Sequence, residues 1–209
     1  TLSASNGSIN LTGSSTSGVG LYLGENNSTN TLTATNGNIS LNGVSVANVA
    51  IEIRGTNTLT ADNINLTGNS KNGMGIDVQR GANTLNATNG SINLTGNSTN
   101  GTGLQLINGT NTLNATNGSI NLTGNSTNGT GIDLRGTNTL TATGGAISFN
   151  GTSGKSRGIN ICGTSNMTAT AINLTGSSTD AEGIDISGSS TLTATSGNIS
   201  LNGTAQSQW

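Results

Sequence analysis

Three aspartates, Asp77, Asp133 and Asp185, recur in the same short context, Gly-Ile-Asp, in a chain with eight acidic residues and no His. Carboxylates that share one face could carry out general acid and base chemistry, provided that one of them is sheltered and has a shifted pKa. The structure predicted from the surrounding sequence therefore decides whether this chemistry is available.

The aspartates belong to an internal repeat that runs through the chain. Residues 112–136 read TLNATNGSINLTGNSTNGTGIDLRG, and nearly the same string covers residues 84–109. One apolar position recurs at spacings of 30, 27, 26, 28, 27, 27 and 25 residues, by subtraction along Leu2, Leu32, Leu59, Leu85, Leu113, Leu140, Met167 and Leu192. The chain therefore begins eight copies of a unit of about 27 residues.

Each copy contains three short runs in which apolar and polar residues alternate, as in a strand with one buried face. The strands that these runs predict are called A, B and C. In the fifth copy they cover residues 112–116, 120–123 and 132–135. Asn and Gly lie between the runs and tolerate the backbone of a tight corner. Three strands and three corners predict one closed coil.

A single coil cannot bury its apolar residues, whereas stacked coils bury them against one another. Stacking pairs each strand with its equivalent about 4.8 Å along the axis. The sequence thus predicts an all-β fold, a parallel β-helix (β-solenoid) of about eight coils, and crossover geometry favours the right-handed form. We expect residues 1–209 to be a single solenoid segment, a fragment of a longer fibre, with Trp209 ending the chain in mid-coil.

The composition agrees with a narrow stacked core. Charged residues make up 7% of the chain and hydrophobic residues 30%, and there are 33 Gly and no Pro. These values provide too few large apolar side chains for a compact helical or α/β domain and too little charge for disorder. A net charge of -2 offers no basic surface to nucleic acid, and no apolar run is long enough for membrane insertion.

Charge is confined to strand C and the corners. The first outward position of strand C predicts a solvent-exposed column of Tyr22, Glu52, Asp77, Gln105, Asp133, Asn160 and Asp185. A neighbouring position is expected to hold Arg54, Arg80, Arg135 and Cys162. Arg54 and Arg135 follow Glu52 and Asp133 by two residues on the same face, so we expect weak surface ion pairs between them. A flat solvated face shelters no carboxylate, so we expect no catalytic, cofactor or metal site. This argument disfavours the alternative of a carbohydrate-active β-helix enzyme.

The outward residues of strands A and B are almost uncharged, and strand A carries a surface Thr array. Its members are Thr31, Thr33, Thr35, Thr84, Thr88, Thr112, Thr116, Thr139, Thr141, Thr143, Thr191, Thr193 and Thr195. Our first interpretation is that stacked Thr and Asn stabilise the rod without binding anything. The alternative is an ice-binding β-solenoid, because Thr-X-Thr spacings of about 7 Å within a strand and about 4.8 Å between strands resemble ice-binding arrays.

Asn-X-Ser/Thr sequons are abundant in the corners that follow strand B. The most accessible glycan acceptors are expected to be Asn97, Asn100, Asn125 and Asn128. Copying of the repeat multiplies these sequons, so their number alone does not establish that they are modified.

Two stretches, TLTATNGNISLNG at 31–43 and GIDLRGTNTLTATGG at 131–145, resemble the repeat regions of filamentous-haemagglutinin-like exoproteins, which include the high-molecular-weight adhesins. The repeats resemble those of autotransporter passenger domains to the same degree. The likeness covers the whole chain and contains no invariant motif.

The resemblance implies a right-handed β-helical fibre that is secreted by the two-partner route to the bacterial cell surface, where some members carry sugars at sequons. It also implies an adhesive or stalk role without catalysis. The implied partner is a host or neighbouring cell surface, and open coils would permit end-to-end or lateral self-association.

Overall fold

The computed structural model describes residues 1–206, so the expectation for Trp209 lies outside the described residues. The described chain forms 21 β-strands. Strand A is represented by β1 (Leu2–Ala4), β8 (Ala82–Ala87), β11 (Thr110–Ala115), β14 (Thr137–Ala142), β17 (Thr164–Ala169) and β20 (Ser190–Ala194). Strand B is represented by β2 (Ile9–Ser15), β9 (Ile92–Ser98), β12 (Ile120–Ser126), β15 (Ile147–Ser153), β18 (Ile172–Ser178) and β21 (Ile199–Ala205).

In two coils strands A and B are continuous, and they form β4 (Thr29–Ser45) and β6 (Thr56–Ser70). Strand C is represented by β3 (Leu21–Leu23), β5 (Ile51–Arg54), β7 (Ile76–Gln79), β10 (Leu104–Ile107), β13 (Ile132–Leu134), β16 (Ile159–Ile161) and β19 (Ile184–Ile186).

The strands pair in parallel with their equivalents one coil away. Strands A and B belong to a 14-stranded sheet, and the C strands form a 7-stranded sheet. The register follows the sequence repeat: Leu85 lies opposite Leu113, which in turn lies opposite Leu140. The described residues therefore form a β-solenoid, and the predicted repeat and stacking are confirmed.

The strand bounds differ from the prediction at the corners. β11 covers Thr110–Ala115 rather than 112–116, and β12 continues to Ser126 rather than ending at 123. The added segments point polar residues such as Asn111 and Ser126 inward, so the apolar alternation does not reveal them. β13 ends at Leu134, which places Arg135 in the corner.

The core consists of apolar columns that run along the rod axis. Leu59, Leu85 and Leu113 are each 0–1% exposed, and the inward Ile and Leu residues of strands B and C are buried in the same way between the two end coils. In the last coil Ile186, Ile199 and Leu201 are exposed. Phe149 fits into a leucine column between Leu122 and Leu174. This close stacking explains how a chain with so few aromatic residues buries a continuous core.

A second inward column consists of amides. Asn57, Asn83, Asn111 and Asn138 are 0% exposed, although they are polar. The amide nitrogens of the first three donate to the amide oxygen in the next coil, at 2.8 Å from Asn57 to Asn83, 3.1 Å from Asn83 to Asn111 and 3.0 Å from Asn111 to Asn138. We call this column, which begins at Asn30, the internal amide ladder.

Inward serines close the corner after strand B. Ser98 Oγ donates to the Gly73 carbonyl at 2.6 Å and accepts from the Gly101 amide at 2.8 Å. Ser126 repeats both hydrogen bonds one coil later. Because the donor and the acceptor of each hydroxyl are used, these buried serines stabilise the corner.

Candidate functional site

The acidic residues of strand C form the column that the sequence predicts. Tyr22, Glu52, Asp77, Gln105, Asp133, Asn160 and Asp185 lie opposite one another in successive ladders. The predicted exposure of this column is wrong for its central members. Glu52 is 5% exposed, Asp77 1% and Asp133 3%.

Long neighbouring side chains account for this burial. Arg54 and Arg135 form ion pairs with Glu52 and Asp133, and each lies two residues further along its chain. On the other flank Met74 Sδ lies 3.3 Å from Gln105 Nε2. Residues one coil above and one coil below in the column shield the remaining surface of these carboxylates from solvent. Alternation in the sequence identifies the outward side of a strand, but it does not show what folds over that side.

Amides separate most of the carboxylates in the column. Gln105 Nε2 donates to Asp77 Oδ1 at 2.7 Å, and Asn160 Nδ2 donates to Asp133 Oδ1 at 2.8 Å. Asp77, Asp133 and Asp185 are therefore two coils apart, as the sequence predicts. Glu52 and Asp77 are the exception, because they occupy adjacent coils.

The electrostatic consequence is largest at Asp77. Burial raises the pKa of Asp77 from 3.8 to about 6; the hydrogen bond from Gln105 lowers this pKa, and the neighbouring charge of Glu52 raises it. The expectation that this face shelters no carboxylate is therefore wrong. At 1% exposure, however, Asp77 cannot contact a substrate in this conformation. The described residues contain no group of three or more His, Cys, Asp or Glu that could hold a metal ion.

The arginine column also differs from the prediction. Arg54 lies opposite Gln79, which lies opposite Ile107, so Arg80 is outside this column. Arg80 occupies the following corner with φ of 59°. Two coils carry one additional residue at this corner, Arg80 or Asn108, and both adopt a left-handed backbone. Cys162 is exposed and free.

The structure places only part of the predicted surface Thr array in regular columns. One outward column consists of Thr31, Thr58, Thr84, Thr112, Thr139, Asn166 and Thr191, and the next of Thr33, Thr60, Asn86, Asn114, Thr141, Thr168 and Thr193. Thr58, Thr60 and Thr168 extend the array predicted from the sequence.

The third threonine of each row lies where strand A ends, although its backbone amide still donates to the preceding coil, as Thr116 does to Ala87 at 3.0 Å. Thr88, Thr116, Thr143 and Thr195 lie beyond the ends of their strands, and Thr35 falls at a register shift. Thr143 Oγ1 donates to the Thr116 carbonyl at 2.6 Å, which shows that this hydroxyl serves the corner. A depression of about 470 Å³ beside Thr60, Asn86 and Thr116 interrupts the face.

The predicted glycan acceptors lie in two external amide ladders. Asn125 Nδ2 donates to Asn97 Oδ1 at 2.8 Å, and Asn128 Nδ2 donates to Asn100 Oδ1 at 2.6 Å. Asn100 and Asn128 are exposed, whereas Asn97 and Asn125 are partly buried. The nitrogen atom that glycosylation would modify is therefore hydrogen-bonded to the preceding coil in all four acceptors, since Asn97 Nδ2 and Asn100 Nδ2 donate to Asn69 and Asn72 in the same way.

A groove follows the corner after strand B and was not anticipated from the sequence. Its volume is about 560 Å³, and its lining includes Val44, Val46, Lys71, Asn97 and Asn125. Val44 and Val46, in the second coil, are 48% and 44% exposed, an unusual exposure for apolar residues away from the ends of the rod. The groove thus combines an amide ladder with an apolar patch.

No family model, curated protein or solved structure matches this chain. Residues 1–206 contain no helix with the length and apolar character needed to cross a bilayer.

Proposed function

We propose that this chain is a non-catalytic structural and adhesive segment of a secreted fibre at a bacterial cell surface, of the filamentous-haemagglutinin-like kind. The observation that carries the proposal is the residue-for-residue register between coils, with apolar core residues almost fully buried. Because each coil stacks on the next in the same register, the rod is long and regular. This shape suits the presentation of binding surfaces by a fibre at the cell surface.

The groove after strand B is the surface that we assign to contact with a host or neighbouring cell. Val44 and Val46 provide apolar area, and the ladder asparagines retain free hydrogen-bonding capacity toward solvent. Repetition along a fibre would strengthen weak individual contacts. Partial sequestration of the strand C carboxylates supports a non-catalytic role, because a general acid or base must reach the substrate.

A binding assay with purified residues 1–209 tests this proposal. The double variant Val44→Lys/Val46→Lys is expected to reduce the amount bound to host or bacterial cells about tenfold. The double variant Asn10→Lys/Thr12→Lys adds the same charge at exposed positions of strand B and should bind within about twofold of the wild type. If the wild type binds no cell type, the adhesive part of the proposal is wrong and a spacer role remains.

Ice binding is the second candidate, and the registered threonine columns favour it. The interruptions at Asn86, Asn114 and Asn166 and the depression on the same face weigh against it, because an ice-binding surface must be flat and regular. Thermal hysteresis at high protein concentration decides this question. The absence of a freezing-point gap would end the ice-binding interpretation.

A further inference from the structure

The internal amide ladder is interrupted at two successive coils. Ser165 lies opposite Asn138, and Ser190 lies opposite Ser165, so two serines occupy ladder positions. Ser165 is 0% exposed, yet its Oγ has no hydrogen-bond partner among the described residues. Ser190 Oγ is also buried and unpartnered within residues 1–206. These hydroxyls are exceptions to the rule that buried polar groups are paired.

The other inward serines show that a buried hydroxyl can be satisfied in this fold. Ser98 and Ser126 each donate to a carbonyl and accept from a backbone amide. The lack of partners at Ser165 is therefore specific to the ladder position. A serine side chain has two heavy atoms fewer than asparagine, while the backbone register at this position is unchanged.

Asn138 is also affected by the change from Asn to Ser. Its amide nitrogen donates to the Arg135 carbonyl at 3.3 Å. Preceding ladder amides additionally donate to the next coil, as Asn111 does to Asn138 at 3.0 Å. The direction of the ladder points the equivalent N–H of Asn138 toward Ser165, whose shorter side chain does not meet it. An amide and two hydroxyls thus face the same part of the core.

We propose that ordered water binds in the core beside Asn138, Ser165 and Ser190 and replaces the missing carboxamide groups. One water accepts a hydrogen bond from Asn138 Nδ2 and exchanges hydrogen bonds with Ser165 Oγ, and a second lies one coil further on, between Ser165 Oγ and Ser190 Oγ. A buried water needs two to four polar partners, and each water has two side chains and the other water. All three side chains are neutral, so the site suits water rather than an ion.

A crystal structure of residues 1–209 at a resolution that defines ordered solvent tests the proposal directly. We expect a water oxygen within hydrogen-bonding distance of both Asn138 Nδ2 and Ser165 Oγ. Clear density for these side chains with no water between them would overturn the proposal.

Substitutions provide an independent test through amide hydrogen exchange in β17. Ser165→Asn should extend the ladder, expel the water and slow exchange about fivefold; Ser165→Ala should remove a water partner and accelerate exchange about fivefold. Asn166→Ala changes an exposed neighbour on the same strand and controls for local effects. In a dry core, Ser165→Ala would instead remove an unsatisfied hydroxyl, so unchanged or slower exchange contradicts the proposal.

Discussion

Asp77 lies directly opposite Glu52 in the ladder between β5 and β7, and Gln79 Nε2 donates to both carboxylates, at 2.6 Å to Asp77 and 3.0 Å to Glu52. Both acidic side chains are buried, and Arg54 pairs with Glu52. Adjacent carboxylates in a shielded place repel each other when both are ionised. Protonation of Asp77 relieves this repulsion.

The stability of the rod should therefore decrease as the pH rises from 4 to 7. The pKa of Asp77 is about 6 in the folded chain and 3.8 in the absence of structure, so the folded state retains a proton that the unfolded state has released. Stabilisation from this difference is complete below about pH 4 and is lost through pH 6, by about 3 kcal/mol in total. Urea unfolding at several pH values measures this loss.

Replacement of Asp77 isolates its contribution from those of the other acidic groups. Asp77→Asn cannot ionise, so it should remove this part of the pH dependence. It should also carry a constant cost at every pH, because its Nδ2 faces the N–H donor of Gln79 or Gln105. Asp180→Asn, at an exposed corner, is the matched control and should follow the wild-type curve. A difference between wild type and Asp77→Asn that is independent of pH would show that Asp77 does not retain its proton on folding.

The acidic column of strand C shows which features the sequence predicts and which it does not. Alternation around Asp77 and Asp133 correctly predicts the register and the outward side of strand C, because these depend on strand periodicity. Their burial depends on the conformations of long side chains that flank the column, such as Gln79 at Asp77 and Arg135 at Asp133. Long side chains adopt many conformations, so periodicity does not predict which groups they cover.

The internal amide ladder was missed for a different reason. Asn111 lies between two threonines in a polar stretch, and a pattern of apolar residues contains no signal that it points inward. The usable signal was the recurrence of Asn at this position in successive copies, at Asn57, Asn83, Asn111 and Asn138. A buried amide is tolerated because its equivalents one coil away satisfy it, which is a property of the stack rather than of one copy.

Gly96 should not tolerate a side chain. A Cβ at this position would lie 2.1 Å from the Gly103 carbonyl oxygen, so Gly96→Ala must displace backbone in the core of a coil. We expect a loss of about 2–4 kcal/mol in the free energy of unfolding, measured by urea denaturation. Gly7→Ala is the control, because a Cβ there meets nothing within 4 Å. Equal stability of the two variants would contradict the close approach.

Arg80 is predicted to reduce stability through its backbone conformation. Its φ is 59°, in the left-handed region, and Asn108 occupies the equivalent corner with φ of 51°. Asn tolerates this region better than Arg, so Arg80→Asn should raise the free energy of unfolding by about 0.5–1 kcal/mol. Arg80→Ala removes the same long side chain but retains the backbone cost. A gain in Arg80→Ala as large as that in Arg80→Asn would assign the effect to the lost side chain instead.

The hydrogen bonds of the external amide ladders restrict which of the predicted sequons can be glycosylated. Asn125 Nδ2 donates to Asn97 Oδ1, and Asn97 Nδ2 donates to Asn69 Oδ1, each at 2.8 Å. Asn97 and Asn125 lie one coil apart, about 4.8 Å along the axis, which leaves too little room for two sugars side by side. If the fibre is glycosylated in its native host, we expect molecules modified at Asn97 or at Asn125 but not at both.

Glycopeptide mass spectrometry that spans both sites on one peptide measures this occupancy. Asn125→Gln should increase the modified fraction at Asn97, whereas Asn121→Gln, in a ladder without a predicted acceptor at that corner, should leave it unchanged. Doubly modified peptides would show that the ladder opens before the sugar is attached. In that case modification would occur before the coils stack, since a formed rod holds these two amides in contact.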